Sequence, residues 1–254
     1  MEFELSAIGI SALLIAGFIA GFINTLAGGG SMLTLPALMM MGMPADIANA
    51  TNRVGVFLQS LTAAKSFNKY DRLDKKAILP MLMPTLLGAL IGSILASYLP
   101  VWVLKPALLI SMVLMALVML VMPNLLIPKE CIAPKSIKDE PMGIFMLFVA
   151  GVYGGFVQAG VGFILLAALA GVLRYDLVRA NALKMVATAA FGAVALVVFV
   201  ARDQVMWIPG LILAVGTMSG ATLSVKFALN VSQTTLKWLL FIMVSITCAS
   251  AFLI

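Results

Sequence analysis

"GFINTLAGGGSMLTLPALMM", residues 21–40, lies within an uncharged run from Leu5 to Pro44 that is long enough to cross a bilayer. Yet it contains Asn24-Thr25 and the triple glycine Gly28-Gly29-Gly30. Unpaired backbone groups in hydrocarbon cost several kcal/mol each, so a glycine-rich break at membrane depth survives only where protein or a watery cavity satisfies it. The run is too long for one span and short for two complete ones. It therefore reads as a hairpin bent at its glycines.

The rest of the chain sets the context for that hairpin. Of 254 residues, 63% are hydrophobic and 10% charged, with a mean hydropathy of +1.15. These values describe a polytopic, all-α membrane protein with no room for a soluble catalytic domain, so an enzyme is not expected. The net charge of +6 would suit a nucleic-acid binder, but in membrane proteins Lys and Arg mark cytoplasmic loops. Met1-Glu2-Phe3-Glu4 lacks a basic leader and a cleavage site, so a removable signal peptide is not expected. Cys131 and Cys248 fall in a polar linker and a terminal apolar segment, which predicts no structural disulfide.

The chain matches itself. A shift of 134 pairs Gly9, Leu13, Ala16, Gly17, Gly21 and Phe22 with Gly143, Leu147, Ala150, Gly151, Gly155 and Phe156. A shift of 132 then pairs Gly28 and Gly30 with Gly160 and Gly162, and Ala48-Asn49-Ala50 with Ala180-Asn181-Ala182. It continues through Asp71/Asp203, Thr85/Thr217 and Lys105/Lys237. Membrane composition alone would not hold one register across Asn, Asp and Lys. Each copy contains four hydrophobic segments, at 5–43, 45–66, 77–98 and 101–122, then 142–173, 177–200, 205–227 and 236–254. The expected units are a first repeat (1–122), a cytoplasmic linker (123–141) and a second repeat (142–254).

Loop charges orient them. The loop 65–76 holds five Lys or Arg, whereas its equivalent in the second copy holds only Arg202, balanced by Asp203. The bias reverses at the neighbouring loops, where Arg174, Arg179 and Lys184 stand against Arg53. All heavier loops fall inside if the copies are inverted, which requires the first segment of each to be a Gly-broken hairpin and puts both termini outside.

In inverted-repeat transporters, discontinuous helices meet near the midplane and turn their N-terminal N–H groups toward an anion. The candidate binding residues are accordingly Gly28, Gly29, Gly30, Gly160 and Gly162 at the bends, with Asn24, Thr25 and Gln158 beside them. Asn49, Asn52 and Arg53 follow on one helix face, and Asn181, Lys184 and Thr188 on its counterpart. Arg53 and Lys184 are expected to face each other across a pseudo-twofold axis as the cations of the site, rather than snorkel as topology anchors. Four other glycine pairs, Gly17/Gly21, Gly88/Gly92, Gly151/Gly155 and Gly216/Gly220, read as close helix packing. Met39-Met40-Met41-Gly42-Met43 reads as flexible apolar packing, since there is no histidine to complete a metal site. No metal or cofactor is expected.

"GFINTLAGGGSMLTLPALMMMGMPADIANATN" and its weaker repeat "GVYGGFVQAGVGFILLAALAGVLRYDLVRANALK" resemble the signature of the TauE/SafE sulfite exporters, also called toluene sulfonate uptake permeases. The second copy departs from it, with Gly160-Val161-Gly162 in place of the triple glycine and no following proline. The resemblance spans the chain and implies a multi-pass protein of the cell (inner) membrane that transports sulfite, sulfonates, sulfoacetate or similar anions, most simply as an exporter. The residues alone leave an anion channel and a membrane assembly factor open. Expected partners are a small anionic substrate, the lipid bilayer and, as one option, a second copy in a homodimer; nucleic acid is not among them.

Overall fold

The structure is a computed structural model that describes residues 7–121, 134–232 and the single positions Thr235, Trp238 and Ile242. Cys131, Cys248, most of the linker and all but Trp238 and Ile242 of the fourth segment of the second half lie outside these residues. The described elements are α1 (Ala7–Leu26), α2 (Ser31–Met40), α3 (Ala45–Lys69), α4 (Lys75–Tyr98), α5 (Val101–Val121), α6 (Pro141–Phe156), α7 (Val161–Leu166), α8 (Leu177–Val200) and α9 (Trp207–Asn230). No strand occurs among the described residues.

Local chemistry accounts for the boundaries. Asp74 caps α4 by accepting from the N–H of Lys76 at 3.0 Å, and Asp176 caps α8 by accepting from Val178 and Arg179 at 3.1 and 3.0 Å. Pro44 and Pro100 stand just before α3 and α5, and Pro141 opens α6, positions where a missing N–H costs nothing. After Leu26 the chain leaves the helix at Gly28, whose φ of +98° is cheap only for glycine, and resumes at Ser31. The second copy breaks likewise between Phe156 and Val161, with Gly160 at φ +82°. α7 then widens into a π-helical stretch, Ala167–Val172.

Four helices, α1, α4, α8 and α9, are long and apolar enough to cross a membrane. α3 has 25 residues and the length, but its polar side chains lower its hydropathy, and they are turned inward: Asn49, Thr51, Asn52, Arg53, Gln59 and Ser60 are all buried. The apolar stripes left outside, Leu79, Met83 and Leu87 on α4 and Ile208, Leu211 and Val215 on α9, face outward as a lipid-facing surface does.

The glycine pairs set the packing. Gly17 and Gly21 lie against Leu213 and Thr217, while Gly216 and Gly220 lie against Leu14 and Phe18, which joins α1 to α9 side by side in the same direction. Gly88 and Gly92 meet Phe148 and Val152, while Gly151 and Gly155 meet Thr85 and Ala89, which joins α4 to α6 in the same way. A Cβ at most of these glycines would overlap neighbouring main chain, so small residues are what let the backbones approach. Each pairing crosses between the two halves of the sequence. Thr217 and Ala89 stand near the middles of their helices, so α1 and α6 break at about mid-depth.

Helix directions follow from contacts at the ends. Asp74 accepts a hydrogen bond from the Tyr175 hydroxyl at 3.1 Å, Phe57 faces Gly192, and the Arg53 guanidinium lies over the Phe199 ring. α3 and α8 therefore run antiparallel. At the opposite end, the Arg202 guanidinium stacks on Tyr98 at 4.3 Å and Gln204 donates to the Ser97 carbonyl at 3.4 Å. Burial and the Asp74 carboxylate push the Tyr175 phenol up to about 12. Asp71 and Asp203, paired by the 132-residue register, both take φ +53°, in turns at opposite ends of the molecule.

A cross-capped pair of broken helices

α6 ends at Phe156 with carbonyls that no further helical turn can satisfy. Arg53, fully buried on α3, supplies the partners: Nη1 donates to Gly154 O at 2.7 Å, and Nη2 donates to Gly155 O at 2.6 Å and Phe156 O at 3.2 Å. Asn49, one turn earlier, adds Nδ2 to Phe156 O at 3.0 Å. The Phe199 ring covers the guanidinium, with its carbon 4.8 Å from the ring centroid. α1 ends in the same way on the other cation. Lys184 Nζ, fully buried on α8, donates to Asn24 O and Thr25 O, each at 3.0 Å, and to Asn181 Oδ1 at 2.6 Å.

The helix dipole explains the arrangement. The C-terminal end of a helix carries about half a negative charge, and burying it in low dielectric is costly without a cation. Each broken helix therefore ends on a cation borne by the other half of the sequence. The two cations do not face each other. Arg53 lies beside Phe199, which is about 20 Å along α8 from Lys184 at ~1.5 Å rise per residue. The register already hints at this, because it pairs Lys184 with Asn52 and not with Arg53.

Between the capped ends the two breaks touch. Gly28 and Gly162 meet main chain to main chain, closely enough that a Cβ on either would overlap the other. The Met32 side chain reaches Gly160 from α2, and Met115 reaches it from α5. The Tyr153 hydroxyl donates at 2.8 Å to Ala159 O within the second break. At the first break, the N–H groups of Gly29, Gly30 and Ser31 donate to no acceptor among the described residues.

The remaining sequence candidates are all buried, in varied roles. Asn52 Oδ1 accepts from Thr34 Oγ1 at 2.6 Å, which ties α2 to α3. Thr25 Oγ1 donates back to Gly21 O at 2.9 Å and accepts from Gln59 Nε2 at 3.5 Å. Gln158, at φ +66°, has neither amide atom bonded, and Asn181 has a free Nδ2. Thr188 is buried without a hydrogen bond among the described residues. Sequence reasoning missed Thr34, Gln59, Met32 and Phe199. Thr34 and Gln59 were legible as polar residues inside apolar helices, but nothing marks an aromatic ring as a cation's cover.

The family model for the sulfite exporter TauE/SafE matches residues 13–251 of the chain. The chain belongs to that family. Full-length relatives agree with the TauE/SafE assignment. A "probable membrane transporter protein" of Haemophilus influenzae is 28% identical over 239 residues, covering 93% of this chain and 92% of its own. The "probable membrane transporter protein ORF9" of Sinorhizobium is 28% identical over 240 residues, covering 94% and 90%. The "probable membrane transporter protein YfcA" of Escherichia coli K12 is 27% identical over 250 residues, covering 97% and 91%. No solved structure matches the chain. As a TauE/SafE protein with several membrane-length helices, it is a multi-pass membrane protein of a transporter family.

Proposed function

We propose that the protein is a secondary transporter that exports small sulfur-containing or organic anions, such as sulfite, sulfonates or sulfoacetate, across the cell's inner membrane by alternating access. The observation that carries the reading is the cross-capping. Lys184 and Arg53 cancel the negative ends of α1 and α6, so the uncompensated dipole ends at the breaks are the positive N-termini of α2 and α7. The free N–H groups of Gly29, Gly30 and Ser31 point the same way, as does the lack of any acidic residue within α1, α2, α6 or α7. Most of the other candidate residues surround these breaks, so the proposed site keeps them; Lys184 acts in it through its field.

Inverted repeats supply the moving parts in this reading. It is supported by the antiparallel run of α3 and α8, by the matched φ at Gly28/Gly160 and Asp71/Asp203, and by the gathering of basic residues at one end. That end holds Arg72, Lys75, Lys76, Lys135, Arg179 and Lys226. It would be cytoplasmic by the positive-inside rule, with repeats 1–122 and 142–254 bent into hairpins at their first segments.

The test is flux of labelled sulfite from proteoliposomes containing the purified chain. Slow, saturable efflux that vanishes with excess unlabelled sulfite or sulfoacetate is expected. Fast, current-carrying flux would identify a channel instead, and no flux of any small anion would leave an assembly factor.

A further inference from the structure

The two capped ends are alike in charge and unlike in what they leave unsatisfied. At the α1 end, all three protons of the Lys184 ammonium have acceptors, and the cap itself leaves Asn181 Nδ2 unpartnered among the described residues. At the α6 end, four buried side-chain atoms have no partner among the described residues: Arg53 Nε, Asn49 Oδ1, and both Nε2 and Oε1 of Gln158. They are clustered. Arg53 and Asn49 sit one turn apart and donate to the same Phe156 oxygen, and Gln158 follows that residue by two. Arg53 and Asn49 are 0% exposed and Gln158 2%, so bulk water does not reach them. Gln158 also holds a left-handed backbone that a side-chain-bearing residue adopts at a cost, and such strain gathers at ligand clamps.

The polarity of the cluster limits what can fill it. Asn49 must turn Nδ2 to the Phe156 carbonyl, since two acceptors would repel, so its free atom is an acceptor. An anion that offers only lone pairs would satisfy Arg53 Nε and one Gln158 donor but leave Asn49 Oδ1 facing it unpaired. Buried unpaired acceptors are expensive, and a site built around one rejects ligands that cannot donate to it.

We propose that Arg53, Asn49 and Gln158 form the ligand-reading half of the site, and that its ligand is an oxyanion carrying its own polar hydrogen, as a hydroxyl or a protonated acid oxygen. The anionic oxygens take Arg53 Nε and Gln158 Nε2, the hydrogen goes to Asn49 Oδ1, and Gln158 Oε1 is left for a second ligand hydrogen or a water that enters with it. Lys184 is a lock on α1 and touches no ligand. This assignment rests on the transport reading above and divides its site between the two copies.

The probes are a matched pair of equal size, 2-hydroxyethanesulfonate and propane-1-sulfonate, which differ by a hydroxyl in place of a methyl. Both are titrated against the purified full chain, with thermal shift as the readout of affinity and sulfite flux measured alongside. The hydroxylated anion should bind roughly tenfold or more tightly. Asn49→Leu should erase that preference, whereas Asn230→Leu, at an exposed asparagine at the end of α9 and away from both breaks, should leave the ratio intact. The wild-type ratio decides the ligand class even if a variant fails to fold. Equal binding of the two sulfonates, with sulfite still transported, would mean the free atoms hold only water and would overturn the assignment while transport stands. A ratio that survives Asn49→Leu, or that is lost in Asn230→Leu, would overturn it as well. Failure to bind or move any of these anions removes the transport reading and this assignment together.

Discussion

Gly28→Ala and Gly42→Ala test whether the contact between the two breaks holds the fold. Both glycines are left-handed, at φ +98° and +91°, so alanine costs each roughly 1–2 kcal/mol of backbone strain. The loss of unfolded-state freedom is the same at both sites and cancels in the comparison. Their surroundings differ. A Cβ on Gly42 meets nothing within 4 Å, whereas one on Gly28 overlaps the main chain of Gly162, which cannot rotate aside as a side chain would. Overpacking of this kind adds roughly 1–3 kcal/mol, for a total of about 2–5 kcal/mol at Gly28 against 1–2 at Gly42. For a chain of this size each kcal/mol moves Tm by about 2–4 °C. Thermal denaturation of the two variants in one detergent should therefore show a drop roughly 1.5-fold to fourfold larger for Gly28→Ala, together with loss of anion flux that Gly42→Ala retains. Equal drops, or full flux by Gly28→Ala, would mean that the breaks are not pressed together in the working protein.

Lys184→Met should destabilise the protein by about 2–5 kcal/mol, because the gain from no longer burying a charge is outweighed by two carbonyls and Asn181 Oδ1 left without donors; a Tm equal to wild type would refute the cap. Single cysteines at Arg72 and Arg202, in a background where Cys131 and Cys248 are Ser, should react from opposite sides with an impermeant thiol reagent. Position 202 should label on intact cells and 72 only after lysis, and labelling of both from one side would exclude inversion.

Where side-chain chemistry decides the structure, the sequence was readable. Uncharged runs located the helices, and the small-residue pairs at Gly17/Gly21 and Gly88/Gly92 sit in the helix contacts that their spacing suggested. α3 runs three residues past its expected end, to Lys69, because the fully buried Phe67 extends its apolar face by one more turn before the exposed Asn68 and Lys69. The burial of Arg53 and Lys184 was legible from their inward-facing Asn neighbours. Their partners were not, because those are main-chain carbonyls, which every residue carries alike. Only the local geometry of a broken helix singles out the oxygens of Asn24 and Gly154. The unequal spare atoms of Asn49 and Asn181 were hidden for the same reason: two asparagines at equivalent positions differ only in which end of the amide is already occupied.

The exchange of caps bears on how such a chain could have arisen and how it could be divided. α1 packs on α9, α6 packs on α4, and each broken helix is closed by a cation encoded in the opposite half of the gene. A half-length polypeptide would carry a cation with no helix to close and a broken helix with no cation. It could persist only by meeting a second half-length chain that supplied both. An ancestor of half this length would thus have been an obligate pair, and fusion through the 123–141 segment would have freed the two members to diverge, so that their cations now stand one residue apart in the register. Cutting the peptide bond in that segment leaves every interlocking contact in place, while deleting either side of the cut strands the other.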